Sequence, residues 1–295
     1  MTMHLERIGA KTPVARVTWQ AEDAALYALA LGAGVEQQQF TVTPPAITHQ
    51  LVYPTFVCAG VLAVESAGWP DPALQTGSYR IGQLVLGEQG VVFHGPVPAA
   101  GDVQVVTTVA GIYDKGSGAL VSLETSATDT RTRLTMFTAT TGVFVIDGGG
   151  FGGSRGPSGP QIKLPARAPN GRTWFPTLAN QTLWYRYAGN DRNPIHVDAE
   201  VARDAGYRAP ILMGQNTLGF ACRAIVDTVC GGDPSALGSI SGRFASAGYN
   251  GDVLGVELWV GDDVGADPHG HEIVLFRVVN QHREVLVDRG FATIR

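Results

Sequence analysis

Two long stretches of the chain are apolar at most positions and end at helix-breaking residues. Residues 54–72 (PTFVCAGVLAVESAGWPDP) stop at a glycine and two prolines, and residues 214–234 (GQNTLGFACRAIVDTVCGGDP) stop at two glycines and a proline. A helix that is apolar on most of its surface has to be covered by other structure. The pattern therefore predicts one buried helix in each half of the chain.

Each predicted helix is followed by segments rich in β-branched and aromatic residues with partial alternation, which is typical of strands. They are VQVVTTVAGIY, GALVSLETSATD and RLTMFTATTGVFVI in the first half, and VLGVELWVGDD, EIVLFRVVNQ and EVLVDRGFATI in the second. A phenylalanine and then Gly-Asp-Val precede the strands in both halves. This repeated order predicts an α+β fold that arose by duplication, with a sheet curled around a helix in each half. Two unrelated α+β domains are the alternative.

The segment between the halves, residues 147–169, is dense in glycine and proline and is interpreted as a linker. It separates an N-terminal domain, residues 1–146, from a C-terminal domain, residues 170–295. Its GGGFGG run could instead be a phosphate-binding loop, but such a loop has to open a helix. The following Gly-Pro-Ser-Gly-Pro disfavours a helix, so we do not favour a nucleotide site.

The bulk composition indicates a globular protein without electrostatic attraction to nucleic acid or to anionic membranes. Of 295 residues, 44% are hydrophobic and 16% charged, and the formal net charge is -5. The apolar runs are too short for a transmembrane span, and the first residues, MTMHLERIGAKTP, have no apolar core of a signal peptide. The three cysteines form no CxxC pair. We expect a cytoplasmic protein without nucleic-acid or membrane partners.

The stretch YAGNDRNPIH, residues 187–196, brings a carboxylate, a carboxamide and an imidazole close together. Pro194 restricts itself and Asn193, so the loop is predicted to be stiff, and Asp198 is placed to cap a short helix directly after it. Asp191 and His196 would then face a common point. A carboxylate and an imidazole that share one water form a general acid/base couple, and histidine titrates near neutral pH.

A possible oxyanion site follows downstream, where Gly214 opens the second apolar helix. Free amides and the positive end of the helix dipole meet there and favour a developing negative oxygen. Together with the acid/base couple, this suits addition of water to a C=C bond conjugated to a carbonyl. The alternative is structural, with Asp191 capping a turn and His196 buried in the core. A metal site is disfavoured because Asp-x4-His supplies only two ligands.

The residues Tyr187-Ala-Gly-Asn-Asp-x-Asn-Pro-Ile-His196, with Ala209-Pro-Ile-x-Met-Gly214 after them, closely resemble the hydratase-2 signature of MaoC-like enoyl-CoA hydratases. The similarity extends to Arg243-Phe244 and Gly251-Asp252, and to Leu86-Gly87-Glu88-Gln89 in the first half. The resemblance implies a double hotdog fold, in which each half wraps an antiparallel sheet around a long central helix. The catalytic motif is present only in the second half.

The resemblance also implies hydration of trans-2-enoyl-CoA to (R)-3-hydroxyacyl-CoA, with a medium-to-long or bulky acyl chain accommodated by the first half. Asp191 and His196 would be catalytic, Gly214 would supply the oxyanion amide, and Asn193, Arg243 and Tyr27 would contribute to substrate binding. The alternative for Tyr27 is a helix residue packed beside the core, and the alternative for Arg243 is a solvated residue at the end of a strand. CoA would enter as part of the substrate, with no further cofactor and no metal. A monomer containing two hotdog halves and a homodimer are both compatible with this organisation.

Three features separate the chain from many relatives and concern the acyl-chain preference more than the reaction. They are an extra Asn190 before the aspartate, Met213 before the oxyanion glycine, and Ser246-Ala247-Gly248 in place of a proline-rich segment. Two other functions stay open for such a fold. One is a hotdog subunit that binds acyl-CoA without converting it, and the other is a thioesterase.

Overall fold

Ten strands form one continuous antiparallel sheet in the computed structural model, which describes residues 1–62, 74–157, 162–189 and 191–295. The strands are β1 (Ala15–Trp19), β2 (Leu84–Phe93), β3 (Gly101–Asp114), β4 (Gly118–Asp129), β5 (Thr135–Ile146), β6 (Gly171–Pro176), β7 (Leu237–Phe244), β8 (Val253–Trp259), β9 (Glu272–Val279) and β10 (Val285–Ile294). The six segments that the sequence predicts to be strands correspond to β3, β4, β5, β8, β9 and β10.

Five α-helices lie among the described residues. They are α1 (Ala21–Ala30), α2 (Gln38–Thr41), α3 (Gln181–Gly189), α4 (Ala199–Asp204) and α5 (Gly214–Thr228). A π-helical segment covers Val57–Leu62, and short 3-10 helices cover Leu5–Arg7, Val35–Gln37, Ile81–Gln83, Pro194–His196 and Pro234–Ala236. No helix in these described ranges is long and apolar enough to cross a membrane.

The strand order, β1-β3-β4-β5-β2-β7-β10-β9-β8-β6, has an internal symmetry. Read outward from the centre, β2-β5-β4-β3-β1 in the first half matches β7-β10-β9-β8-β6 in the second. Each half therefore has the same topology, as expected for a duplicated unit. The two halves join where β2 pairs with β7, in a register that places Glu88 opposite Arg243 and Val92 opposite Ser239.

The second predicted central helix is α5, and the sheet of the C-terminal half packs around it. Its residues from Asn216 to Val226 are all buried, which agrees with its nearly uniform apolar surface. The helix ends shortly before Gly231 and Gly232, whose φ angles are 60° and 86°, so glycine permits the chain to turn away there. The first predicted helix, residues 54–72, is described only as far as Leu62, and the rest of that prediction lies outside the described residues.

The glycine-rich segment after β5 is held against the N-terminal sheet by one carboxylate. Asp114, at the end of β3, accepts hydrogen bonds from the backbone amides of Gly116, Gly150 and Gly152 at 2.8 to 2.9 Å. These amides lower the pKa of Asp114. The described residues between Ile146 and Gly171 form no helix or strand, in keeping with their interpretation as a linker.

A buried carboxylate ties three strands of the C-terminal half together on the outer face of the sheet. Glu257 in β8 is fully buried and accepts hydrogen bonds of 2.5 to 3.0 Å from Arg172, Arg277 and Arg283. Arg172 and Arg277 lie directly opposite Glu257 on β6 and β9. Burial raises the pKa of Glu257, but the three guanidinium groups outweigh it and the net pKa is lowered.

We predict that Glu257→Gln lowers the free energy of unfolding by about 1 to 3 kcal/mol, since it removes a buried charged acceptor from three donors. Because the pKa of this carboxyl is lower in the folded protein, its contribution is present above its unfolded pKa and is lost as the pH falls through the folded value. Denaturant unfolding at neutral pH and at acidic pH measures both effects.

The matched control is Glu124→Gln, which changes an exposed glutamate on β4 and is expected to alter stability by less than about 0.5 kcal/mol. Equal stability of Glu257→Gln and wild type at neutral pH would contradict the role assigned to this cluster.

Candidate active site

The loop between α3 and α4 holds Asp191 and His196 through hydrogen bonds to its own backbone. Asp191 Oδ1 accepts from the amide of Asn193 at 2.9 Å, and Asn193 Oδ1 accepts from the amide of Ile195 at 3.1 Å. Arg186 in α3 donates to the Asp191 carbonyl oxygen at 2.9 Å. Asn193 is extended, as a residue before proline should be, and Asp198 caps α4. The loop is therefore as stiff as the sequence predicts.

The orientation of the His196 ring is fixed by a backbone carbonyl. His196 Nδ1 lies 2.8 Å from the carbonyl oxygen of Ile211, which can only accept, so Nδ1 carries a proton. In the neutral ring the lone pair is then on Nε2, which lies 3.6 Å from Asp191 Oδ2. This separation is longer than a direct hydrogen bond. The two acceptors can therefore both reach one water molecule between them.

The environment of His196 favours the neutral imidazole. The residue is 8% exposed, and this burial lowers its pKa below the ordinary value. The negative charge of Asp191 and the hydrogen bond to Ile211 act in the opposite direction, and the nearby Arg186 lowers the pKa further. A neutral imidazole with a free Nε2 lone pair can act as a base.

The N-terminus of α5 offers unpaired backbone donors. Its first residue is Gly214, and the preceding Met213 provides no side-chain cap. The amides of Asn216 and Thr217 bond to the Met213 carbonyl, whereas the described residues give the amides of Gly214 and Gln215 no acceptor. A Cβ on Gly214 would lie 3.0 Å from the Phe244 ring, so glycine lets the helix start close to that ring.

Asp191, His196, Asn193 and Gly214 all line one cavity of about 510 Å³. The cavity continues beyond the catalytic loop into the N-terminal half, where its lining is mostly aliphatic. The lining residues of the first half are Leu62, Leu74, Leu84, Val85, Leu86, Thr107, Leu123, Thr125, Thr141 and Val143. Within the described ranges, no group of three or more His, Cys, Asp or Glu side chains is arranged to hold a metal ion.

The structure separates Tyr27 and Arg243 from the other sequence-predicted site residues. Tyr27 is fully buried, donates to Thr55 Oγ1 at 2.9 Å and packs edge-on against Phe56. It does not line the cavity, so its geometry is that of a core residue and gives no support to substrate binding. Arg243 is exposed near the end of β7 and also lies outside the cavity lining, although its neighbour Phe244 is part of it.

The sequence does not show which residues of the N-terminal sheet lie near the catalytic loop. A contact between halves lies beside the start of α5, where Gln215 Nε2 donates to Gln89 Oε1 at 3.4 Å. Gln89 is 1% exposed and also accepts from Thr141 Oγ1 at 3.1 Å. Gln89 belongs to the motif Leu86-Gly87-Glu88-Gln89, but only the pairing of β2 with β7 shows that it faces α5.

We predict that NMR titration of His196 gives a pKa below its ordinary value of about 6.5, and a still lower one in the Asp191→Asn variant. Burial lowers the wild-type pKa, and the variant removes the charge that opposes this effect. If His196 acts as the base, kcat/KM of the wild type should decline on the acid side with a midpoint below about pH 6.5. A wild-type pKa above that value, or one unchanged by the substitution, would contradict this geometry of the pair.

Comparison with known proteins places both halves in one family. The MaoC like domain matches residues 161–281, and the MFE-2 hydratase 2 N-terminal domain matches residues 17–147. The chain is 35% identical over 258 residues to a Mycobacterium tuberculosis protein named enoyl-CoA hydratase ChsH3, a match that covers 85% of this chain and 87% of that protein. It is 33% identical to the peroxisomal enoyl-CoA hydratase 2 of Arabidopsis thaliana, with 85% and 84% covered.

Solved structures agree with this assignment. A MaoC-like dehydratase from Phytophthora capsici is 25% identical and superposes with a TM-score of 0.83 over 99% of this chain and 98% of that one. A Mycobacterium tuberculosis protein with a double hotdog fold is 13% identical and has a TM-score of 0.62 over 99% and 98% of the two chains. The predicted double hotdog fold is therefore confirmed, and the chain belongs to the MaoC-like family of hydratases and dehydratases, with a hydratase 2 domain pair.

Proposed function

We propose that this protein is an (R)-specific 2-enoyl-CoA hydratase, or 3-hydroxyacyl-CoA dehydratase in the reverse direction. The observation that carries the proposal is the placement of His196 Nε2, Asp191 Oδ2 and the Gly214 amide around one cavity. Relatives at 33% and 35% identity that bear the name enoyl-CoA hydratase support the same reaction. Acid/base groups and an amide donor are sufficient for this chemistry, so the proposal includes neither a cofactor nor a metal.

In the proposed reaction, the thioester oxygen of the substrate faces the Gly214 amide. The water held by Asp191 and His196 attacks C3, and its proton passes to His196 Nε2. Electron density moves through the C=C bond to the thioester oxygen, where the amide and the helix dipole stabilise the negative charge. The C=O bond of the thioester then re-forms as C2 takes a proton from the Asp191–His196 pair, with Asp191 as the donor to C2. The two groups exchange protons as a coupled pair.

The residues around this centre are proposed to hold the rest of the substrate. Asn193 supports the catalytic loop, since both of its hydrogen bonds lie within that loop. Arg243, exposed beside the cavity-lining Phe244, is a candidate for a CoA phosphate. The described geometry does not favour Tyr27 for such a role.

The N-terminal domain, residues 1–146, is proposed to accommodate the acyl chain, while residues 170–295 carry the catalytic loop and residues 147–169 connect them. The support is the cavity itself, which runs from the catalytic loop to aliphatic side chains on β2, β4 and β5. An aliphatic cavity of this kind suits a medium-to-long or bulky acyl group.

Both halves lie in one chain, so a monomer would contain a complete site, and a homodimer is equally compatible. The cytoplasm is the proposed location, although the Arabidopsis relative is named peroxisomal.

Replacing Asp191 with Asn or His196 with Gln should lower kcat by about two to four powers of ten, because each removes a proton-transfer group. The assay follows loss of enoyl absorbance with crotonyl-CoA and with a longer trans-2-enoyl-CoA. Glu200→Gln, an exposed change on α4, is the matched control and should keep wild-type turnover.

Near-normal turnover in Asp191→Asn or His196→Gln would refute the catalytic assignment. Two further outcomes would favour the alternative functions. Tight binding of acyl-CoA by wild type without loss of enoyl absorbance would identify a binding subunit, and release of free CoA thiol would identify a thioesterase.

Val143→Phe tests the course of the acyl chain, because Val143 lines the cavity in the N-terminal half. The added ring should lower kcat/KM for a long-chain enoyl-CoA by at least about tenfold while crotonyl-CoA, which ends before this point, is affected less than about twofold. Val92→Phe at an exposed site on β2 is the control. Equal losses for short and long substrates would place the chain elsewhere.

A further inference from the structure

A row of polar side chains crosses the inner face of the N-terminal sheet. Each of four neighbouring strands contributes one member, namely Thr107 of β3, Thr125 of β4, Thr141 of β5 and Gln89 of β2. Thr107 lies opposite Thr125, and Thr141 lies opposite Gln89. The two pairs are neighbours, because Thr141 lies opposite Leu123, two residues before Thr125 on β4. We call these four residues the polar row.

The residues on either side of the polar row are apolar. Two positions away along the same strands lie Val105, Val109, Leu123, Ala127, Ala139, Val143 and Val91. The corresponding strands β8 and β9 of the C-terminal half place Leu254, Val256, Leu258, Val274, Phe276 and Val278 in the core. Threonine favours strands in general, but that preference alone does not explain polar residues at one level of four adjacent strands.

Three members of the polar row line the cavity that contains the catalytic loop. Thr107 and Thr125 are 4% and 6% exposed, and their hydroxyl oxygens lie 2.7 Å apart. The row begins at Gln89, which contacts Gln215 beside the Gly214 amide. From β2 to β3 it crosses three strand spacings, which is about 14 Å. The hydroxyl groups at its far end are thus well separated from the reacting carbons.

An acyl chain that follows the cavity into the N-terminal half would pass along this row. A wholly hydrocarbon chain would displace water from the threonine hydroxyls without replacing its hydrogen bonds, which is unfavourable. A hydroxyl group can donate one hydrogen bond and accept two, so the Thr125 hydroxyl retains capacity after its bond to Thr107. An oxygen on the substrate at this depth would use that capacity. Sites built around such polar groups discriminate strongly against analogues that lack the matching group.

We propose that the preferred substrate of this enzyme is an enoyl-CoA whose acyl group carries a hydroxyl or keto oxygen far from the thioester, bound by Thr125 and its neighbours in the polar row. This inference rests on the proposed hydratase function and specifies its substrate class. Thr125 and Thr141 are then specificity-determining residues that act on the distal end of the substrate and take no part in proton transfer.

The test compares kcat/KM for trans-2-enoyl-CoA substrates of about eight to sixteen carbons with that for their ω-hydroxy and (ω−1)-keto analogues. In wild type, at least one oxygenated substrate should exceed its unsubstituted counterpart by about fivefold to tenfold, the effect of one or two net hydrogen bonds. A preference for the ω-hydroxy substrates, for the (ω−1)-keto substrates or for both identifies the kind of oxygen that is bound. Equal values at every chain length would overturn the proposal.

The variants Thr125→Val and Thr141→Val keep the side-chain shape and remove one hydroxyl group each. The preference ratio should fall toward one in Thr125→Val and be restored by Thr125→Ser. Because Thr125→Val leaves the Thr107 hydroxyl without this partner, the double variant Thr107→Val with Thr125→Val provides a second, apolar version of the pair. Thr108→Val, on the opposite face of β3, is the matched control and should keep the wild-type ratio.

A ratio that persists in Thr125→Val, in Thr141→Val and in the double variant would also overturn the proposal. Its failure is distinguishable from failure of the hydratase function. If all substrates are hydrated equally well, only the substrate class is wrong. If none is hydrated, the function itself is wrong.

Discussion

The chemistry proposed for this site depends on one hydrogen bond, from His196 Nδ1 to the carbonyl oxygen of Ile211 at 2.8 Å. Because a carbonyl cannot donate, this bond determines which ring nitrogen has the free lone pair and directs Nε2 toward Asp191 and the cavity. Burial keeps the ring neutral, and the carboxylate 3.6 Å away supplies the second polar contact for a water. The reverse ring orientation would hide the lone pair from the cavity, and His196 could not act there as a base.

The second requirement is the pairing of β2 with β7, which makes one sheet from two similar halves. It brings Gln89 of the first half next to Gln215, one residue beyond the candidate oxyanion amide. It also extends the cavity from the catalytic loop into a half that has no catalytic motif. We infer that the N-terminal half contributes to substrate recognition and takes no part in the proton transfers. Its inner face carries the polar row, whereas the corresponding strands of the catalytic half are apolar on their inner face.

The sequence predicts those parts of the molecule that depend on local patterns. The strand segments, the buried helix α5 and the cap at Asp198 all follow from residue periodicity and capping preferences, and they are present in the structure. The proximity of Asp191 to His196 follows from the proline-stiffened loop between them. Family resemblance adds the double hotdog fold, which local patterns alone give only as two sheets around two helices.

Other features depend on contacts between distant segments, and no local sequence pattern predicts them. The hydrogen bond to Ile211 joins two loops and becomes evident only when the chain is folded. For Tyr27 the sequence leaves substrate binding and core packing both open, and the fold places it in the core. The polar row arises from the registers of four strands, so Thr125 looks in the sequence like any other strand threonine.

The most direct test of the proposed mechanism is a crystal structure of the Asp191→Asn variant with a long-chain 3-hydroxyacyl-CoA. We expect the thioester oxygen within about 3 Å of the Gly214 amide, the 3-hydroxyl group between His196 Nε2 and residue 191, and the acyl chain in the cavity of the N-terminal half. A thioester oxygen remote from Gly214, or an acyl chain outside that cavity, would contradict the mechanism.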